Sequence, residues 1–237
     1  MLQNNIANKN QLVEFSANGE KVKLSPAIVR NYLVNGNGQI TDQEIVYFIN
    51  LCKSQGLNPF IKDCYLIKYG NTLPAQMVVS KDVFLKRAER NSEFDGLDAG
   101  IIVLNGESGE LAYRKGAFYL KDREEVVGGW ADVFRKNVSH PTHIEVSFEE
   151  YAGRTKDGKL NSQWSTKAAT MIRKVAITQA LRETFPNDFQ HMYSEEEMNV
   201  DMKLDETPIQ QQIEQAPIQP QTYSQPEEPQ PEGVSLV

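Results

Sequence analysis

The chain has 237 residues, 40% of them hydrophobic and 24% charged, which suits one large globular domain or two small ones. No apolar run approaches the ~20 residues of a membrane span, and the N-terminus lacks the apolar stretch of a signal peptide, so we expect a cytoplasmic protein without membrane association. Cys52 and Cys64, the two cysteines, exclude a disulfide framework and are expected to be reduced thiols.

The net charge of −7 averages two unlike regions. Residues 1–193 hold 24 Lys and Arg against 22 Asp and Glu, whereas residues 194–237 hold one Lys against ten acids. Such asymmetry is a hint of nucleic-acid binding. From about Asn199 the sequence is rich in Gln, Pro and Glu, so we predict one domain over 1–198 and a disordered tail over 199–237.

The first elements follow from turn and capping signals. Asn18-Gly19 between two short apolar runs predicts a β-hairpin, and Pro26 suits the first position of a short helix. Thr41 and Glu44 form a capping box in front of an apolar stripe, which predicts a helix that ends at Gly56.

The second half of the domain alternates turns, strands and helices. Residues 57–60 (LNPF) predict a turn, and the runs on either side of Gly70 predict a second hairpin. Ser80 caps a predicted helix over 81–91. The Val- and aromatic-rich stretch 94–151 predicts an antiparallel sheet, and a last helix is predicted from Ser165 to Phe185. Together these elements indicate an α+β fold.

Motifs for catalysis are missing from the sequence: it contains no GxGxxG, no Walker A loop and no GxSxG. His140 and His143 flank Pro141, which favours a turn with solvated histidines over a shared metal ion. The neighbouring acids at 122–125 and 149–150 point to opposite faces of a strand, which favours a solvated surface over a Mg²⁺ site. We therefore expect no catalytic residues, no metal and no cofactor.

The last predicted helix carries an unusual concentration of positive charge. With about 100° between successive residues, five side chains fall within roughly 60° of one line along it: Lys167, Thr170, Lys174, Thr178 and Arg182. Small apolar residues lie on the opposite side, and Arg173 lies at the boundary between the two faces. An ordinary solvated face usually mixes both signs of charge, whereas 167–182 contains no acid. We expect the basic line to face DNA.

A basic loop precedes this helix. Residues 153–164 combine Arg154, two lysines, two glycines and Trp164, and such a loop suits contacts with a phosphate backbone. A core position for Trp164 is favoured over stacking on a base. Further basic candidates lie among aromatic residues, as in single-strand grooves: Lys62, Lys68, Lys81, Lys86, Arg87, Arg135 and Lys136.

Several motifs, in order along residues 41–197, resemble the RecT/Bet family of phage single-strand annealing proteins, also called recombinases. The matching segments are LNPFIKDCYLIKYG, RNSEFDGLD, FRKNVSHP and QWSTKAATMIRKVAITQALRETFP followed by YSEEE. The resemblance implies an α+β core distantly similar to the Rad52 annealing domain. It also implies pairing of complementary single strands without ATP, assembly into rings or helical filaments, and work beside a phage 5′→3′ exonuclease.

The same resemblance implies DNA-backbone contacts from Lys62, Lys86, Arg135, Lys136, Arg173, Gln179 and Arg182, which occupy matching motif positions. The charge pattern adds Arg154, Lys167 and Lys174. The expected partners are therefore single-stranded DNA, the annealed duplex, further copies of the chain, the exonuclease, and a host single-strand-binding protein recruited by the tail.

Two alternatives stay open at this point. A passive single-strand-binding protein would coat DNA without pairing strands, and composition does not separate it from an annealing protein. A metal-dependent nuclease would cleave DNA with Mg²⁺, although no converging set of acids supports it.

Overall fold

The computed structural model describes residues 12–198, and within them it shows an α+β fold with antiparallel sheets packed against helices, which confirms the predicted fold class. The strands are β1 (Val13–Ala17), β2 (Glu20–Leu24), β3 (Val34–Asn35), β4 (Cys64–Ile67), β5 (Gln76–Val79), β6 (Phe94–Asn105), β7 (Leu111–Lys115), β8 (Glu124–Arg135) and β9 (Thr142–Ser147). The α-helices are α1 (Pro26–Ile28), α2 (Asp42–Gln55), α3 (Lys81–Arg90), α4 (Phe148–Tyr151), α5 (Ser162–Thr166) and α6 (Ala168–Thr184). The predicted tail, 199–237, lies outside the described residues.

The strands form three sheets. β1 and β2 make a separate hairpin, β3-β4-β5 a small sheet with one parallel pair, and β7-β6-β8-β9 a larger antiparallel sheet. The N-terminal hairpin turns at Asn18 and Gly19, whose φ angles of 55° and 87° are both left-handed. Such a two-residue turn matches the twist of the flanking strands, so the predicted hairpin is confirmed.

The capping box at the start of α2 is also present. The Glu44 backbone N–H donates to Thr41 Oγ1 over 3.2 Å, and the Thr41 N–H donates to Glu44 Oε2 over 2.9 Å. Gly56 ends the helix in the left-handed conformation at φ 60°. Local sequence rules therefore fix both ends of this helix.

Helix α6 crosses the larger sheet and is the centre of the hydrophobic core. It packs mainly on β8 and also contacts β9 and β6. A Cβ at Gly129 would lie 2.7 Å from the carbonyl oxygen of Ile172, which is closer than side chains approach backbone oxygens. A glycine at 129 therefore lets helix backbone and strand backbone meet without a side chain between them.

The prediction of one continuous helix from Ser165 to Phe185 is wrong at its start. The backbone leaves helical geometry at Lys167 (φ −128°, ψ 33°), which separates α5 from α6. α5 carries Trp164, which is 1% exposed and meets Phe148 edge-on with ring centroids 5.5 Å apart. Packing of Trp164 into the core, the favoured interpretation, is confirmed.

The turn predicted at residues 57–60 needs adjustment. The LNPF segment forms a 3-10 helix at Pro59–Ile61, in which the Asn58 side chain accepts from the Phe60 N–H. Cys52 and Cys64 are buried free thiols with their sulfur atoms 3.6 Å apart. Over residues 12–198, no helix has the length and apolarity needed to cross a membrane.

Candidate nucleic-acid interface

The basic line predicted on α6 is not an open face. Thr178 is fully buried, and its hydroxyl donates to the carbonyls of Lys174 and Val175. Helix α6 buries residues around its whole circumference between the larger sheet and the segment that follows it. The expectation of a solvent-exposed Lys–Thr–Lys–Thr–Arg line is therefore wrong along the middle and end of the helix.

Acidic residues cover two of the three charged positions of that line. Lys174 Nζ lies 2.6 Å from Glu196 Oε1, and Arg182 lies 2.5 Å from Glu197 Oε1. Burial disfavours the charged form of Lys174, but Glu196 outweighs burial and raises the Lys174 pKa. The same balance, with Glu197 as partner, raises the pKa of Arg182.

Arg182 is held by two further groups. Its guanidinium donates to the Met192 carbonyl over 3.0 Å and lies over the Tyr193 ring, 4.9 Å from the centroid. Residues 192–197 therefore form a cap on α6, named here the acidic cap. Glu195, Glu196 and Glu197, which the charge count groups with the acidic residues 194–237, all lie in this cap, within the predicted domain 1–198.

The other two α6 candidates contact neighbouring elements. Arg173 Nε donates to the Ala99 carbonyl of β6 over 3.2 Å. Gln179 Nε2 donates to the hydroxyl of Tyr151. Both side chains tie α6 to the rest of the fold, and their DNA contacts stay predictions.

The loop candidates lie apart from α6. Arg154 pairs with Glu149 over 2.6 Å and donates to the Gly158 carbonyl over 3.0 Å, which closes the basic loop on itself. Lys167 is exposed at the break between α5 and α6. Lys62 is half-buried at the end of the 3-10 helix, with a left-handed φ of 63°.

Lys68 is buried and is not available to a ligand. Its Nζ lies 2.6 and 2.8 Å from the two oxygens of Glu44, and its side chain is 5% exposed. Glu44 also accepts the backbone N–H groups of Thr41 and Ala75. Burial alone would raise the Glu44 pKa, but Lys68 and the backbone donors lower it to about 2.

The end of α3 presents a different arrangement. Lys86 is exposed, and Arg87 donates to the side-chain and backbone oxygens of Gln55 and to the Asp188 carbonyl, at 2.9, 2.5 and 2.7 Å. Arg90 donates to Asn18 Oδ1 over 2.7 Å. All these acceptors are neutral oxygens. Within residues 12–198, none of the three cations forms an ion pair with a carboxylate, and together they line one concave pocket.

Arg90 is not among the residues predicted from the sequence to contact DNA, and Arg87 is only one of the further basic candidates. The sequence indicates a basic cluster here, because Lys86 and Arg90 are four residues apart on a predicted helix and therefore share a face. Arg87 is next to Lys86, so three of the last five residues of the helix are basic.

Arg135 and Lys136 extend this region. Lys136 Nζ donates to the Ser92 carbonyl over 2.8 Å, while Arg135 pairs with Glu93 and lies 5.6 Å from the Phe185 ring centroid. Ser92 and Glu93 lie two and three residues after the end of α3. Arg135 lines a cleft of about 530 Å³ with residues 91–93 and 184–188. The structure thus brings Lys86, Arg135 and Lys136 to the C-terminal end of α3.

His143 departs from its prediction as well. It lies in β9, not in a turn, with Nδ1 2.7 Å from Asp132 and Nε2 3.1 Å from Glu145. Hydrogen bonds to Glu145 and Asp132 raise its pKa. Carboxylates on both sides make this sheet face unsuited to a phosphate backbone.

The fold and charge distribution define an α+β protein without a group of three His, Cys, Asp or Glu that could hold a metal ion anywhere in the described part of the chain. The RecT family model matches residues 19–214, so the chain belongs to the RecT family. The family is one of single-strand annealing proteins of DNA recombination, which are not classical enzymes. Among curated proteins, none matches the chain in sequence.

Proposed function

We propose that this chain binds single-stranded DNA and pairs complementary strands without ATP, as an oligomer in phage homologous recombination. Membership of the RecT family, over residues 19–214, carries the proposal. Lys86, Arg87 and Arg90 in the last turns of α3 support it, because none of them forms an ion pair with a carboxylate within the described fold.

In the proposed mechanism, Lys and Arg side chains hold the phosphate backbone of one strand and leave its bases accessible. A second strand is then tested by Watson–Crick pairing, so sequence specificity resides in the bases. Binding is summed over many subunits, which fits a body with little net charge. Affinity should fall steeply as salt rises, because each neutralised phosphate releases counterions.

The DNA contacts are proposed at two levels. Lys86, Arg135 and Lys136 are favoured, since Lys86 lies in the second half of α3 and the other two bind residues 92 and 93 just after that helix. Lys62, Arg154 and Lys167 are proposed as contacts from separate loops. Arg173, Lys174, Gln179 and Arg182 stay in the proposal only if DNA competes with their present partners.

We further propose a ring or helical filament as the active assembly, with the bacterial cytoplasm as its location. A phage 5′→3′ exonuclease supplies the single strand, and a host single-strand-binding protein is a second partner. Residues 199–237 are the proposed recruiting segment. These partners follow from the family resemblance, and pull-down with and without 199–237 tests them.

The decisive experiment is a fluorescence annealing assay with two complementary oligonucleotides, with and without ATP. We expect the protein to accelerate pairing equally in both conditions. A non-complementary pair is the matched control. Binding without faster pairing would establish the passive coating protein instead, and product cleavage with Mg²⁺ would establish the nuclease.

A further inference from the structure

The pocket at the end of α3 is small and enclosed by three elements. Asn18 of the hairpin turn, residues 55–57 at the end of α2, and α3 line a cavity of about 180 Å³. Ligand sites for drug-sized molecules run from ~300 to 1,000 Å³. This cavity therefore suits a small group and not a whole nucleotide.

The charged side chains that line the cavity are all positive. Lys86, Arg87 and Arg90 all contribute to its wall, and the wall contains no Asp or Glu. An arginine has five N–H donors and a lysine three. Among the described residues, Arg90 has the single side-chain acceptor Asn18, and Lys86 has none. Donors are thus left over for a ligand with several acceptor oxygens.

The arginines are fixed in position before any ligand arrives. Asn18, which accepts from Arg90, donates in turn to Asp63 Oδ2 over 3.2 Å, and Asp63 is 2% exposed. Arg87 is held by the oxygens of Gln55 and the Asp188 carbonyl. Rigid support of this kind reduces the entropy lost on binding.

Electrostatics point in the same direction. Burial lowers the pKa of Arg87, and Arg90 lowers it further, while Asp188 and Asp63 act against this. Three cations held together without an ion-paired carboxylate repel one another, and an anion in the cavity relieves that repulsion. Lys68 and Lys174, two other partly buried cations of the fold, each have a carboxylate partner.

We propose that this cavity binds one phosphate group, with Lys86 and Arg90 as its ligands and Arg87 behind them. The inference rests on the proposed function for the source of the phosphate. That source is either an internal phosphodiester of the bound strand or a terminal phosphate at its end. Both present non-bridging oxygens to Lys86 and Arg90, two in the diester and three in the terminal phosphate.

The first arm of the test measures DNA binding by the full chain. Fluorescence anisotropy with a labelled oligonucleotide compares wild type with Lys86→Ala, Arg90→Ala and the double variant at several salt concentrations. We expect each single variant to weaken binding about 5- to 10-fold. Since both residues contact one phosphate, the double variant should lower the salt slope by only about 0.7, the value for one phosphate of a single strand.

Lys53→Ala is the matched control, because Lys53 is an exposed lysine of α2 that does not line the cavity. Arg90→Ala also removes the bond to Asn18, so thermal unfolding must accompany it. Lys86→Ala has no side-chain contact to lose within the described fold. Unchanged affinity and salt slope in Lys86→Ala and the double variant would overturn the inference and leave the proposed function intact.

The second arm needs no DNA. Inorganic phosphate at millimolar concentration should raise the Tm of wild type by about 2–4 °C over chloride at matched ionic strength. The double variant should show no such rise. Failure of the wild type to bind single strands would overturn the proposed function. An equal Tm shift in wild type and double variant would instead overturn the proposal that the cavity binds phosphate.

The third arm separates the two sources. Oligonucleotides with a 5′-phosphate, a 3′-phosphate or hydroxyl ends are compared on the same variants. Equal binding of all three, weakened alike by the substitutions, assigns an internal phosphodiester. Tighter binding of one phosphorylated end, lost in the double variant, assigns a terminal phosphate.

Discussion

Lys174 Nζ meets Glu196 Oε1 at 2.6 Å, and the Glu196 side chain is 1% exposed while that of Lys174 is 28% exposed. The second Glu196 oxygen is buried without a hydrogen-bond partner in the described structure. Glu196 therefore depends on Lys174 for its charge compensation, and the pair joins α6 to the acidic cap.

Replacement of Lys174 by Met should destabilise the protein because it leaves a buried, unpaired carboxylate. The expected loss is about 3 kcal/mol in the free energy of unfolding, measured with urea. The double variant Lys174→Met/Glu196→Gln should recover most of that loss, and Lys53→Met serves as the control. A Lys174→Met protein of wild-type stability with weak DNA binding would contradict the structural role and favour the DNA contact.

Glu195, beside that pair, gives a pH dependence of the opposite sign to most acids. Burial and repulsion from Glu196 raise its pKa from 4.5 to about 7, although Lys174 opposes the shift. The folded protein then keeps a proton that the unfolded chain releases. Stability should therefore decline as pH rises from 4.5 towards 7, by on the order of 2–3 kcal/mol.

Glu195→Gln tests this, since a neutral amide removes both the titration and the repulsion. We expect the variant to be more stable than wild type at pH 8 and nearly equal to it at pH 4.5, by chemical denaturation. The exposed Glu150→Gln is the control. A constant difference between Glu195→Gln and wild type across this range would refute the prediction.

The lowered pKa of Glu44 predicts that the protein loses stability in acid, as is usual for a paired carboxylate. Its pKa is lowered from 4.5 to about 2 in the folded state, so its contribution is complete above 4.5 and is lost as pH falls towards 2. The contribution is on the order of 2–3 kcal/mol. Wild type should lose its advantage over Glu44→Gln in this window, while the exposed Glu89→Gln should track wild type throughout.

A substitution at Arg173 distinguishes a packing role from a DNA-binding role. Arg173→Met removes the bond to the Ala99 carbonyl and should cost about 1 kcal/mol of stability. Because that bond points into the fold, the salt slope of DNA binding should stay unchanged. A slope lowered by about 0.7, with stability intact, would instead identify a phosphate contact.

Removal of residues 199–237 should leave annealing unchanged or faster. This segment holds seven acids against one lysine, and its negative charge should compete with DNA for the same cations. The fluorescence annealing assay compares the two lengths at low and moderate salt. Slower annealing by the shorter chain would show that the segment takes part in pairing.

Short-range features of this fold were predictable because their physics is contained in a few residues. Asn18-Gly19 specifies its turn through two left-handed φ angles, and Thr41 with Glu44 satisfies the first N–H groups of α2. Neither depends on what packs against it.

The exposure of α6 was not predictable in this way. A helical projection finds Lys174 and Arg182 on one side of the helix but does not show what covers that side. The cover comes from Glu196 and Glu197, respectively 22 and 15 residues later in the chain. Nothing in the local sequence around Lys174 and Arg182 indicates that these two acids neutralise the helix.

The contact between Gly129 and Ile172 constrains how the subunit can move. Backbone meets backbone there, so α6 has no compressible layer of side chains on which to slide or roll over β8. We therefore expect the helix and the larger sheet to move together. Any shape change during assembly on DNA must then be absorbed elsewhere, at loops such as the basic one before α5, and Gly129→Ala would disturb the whole unit.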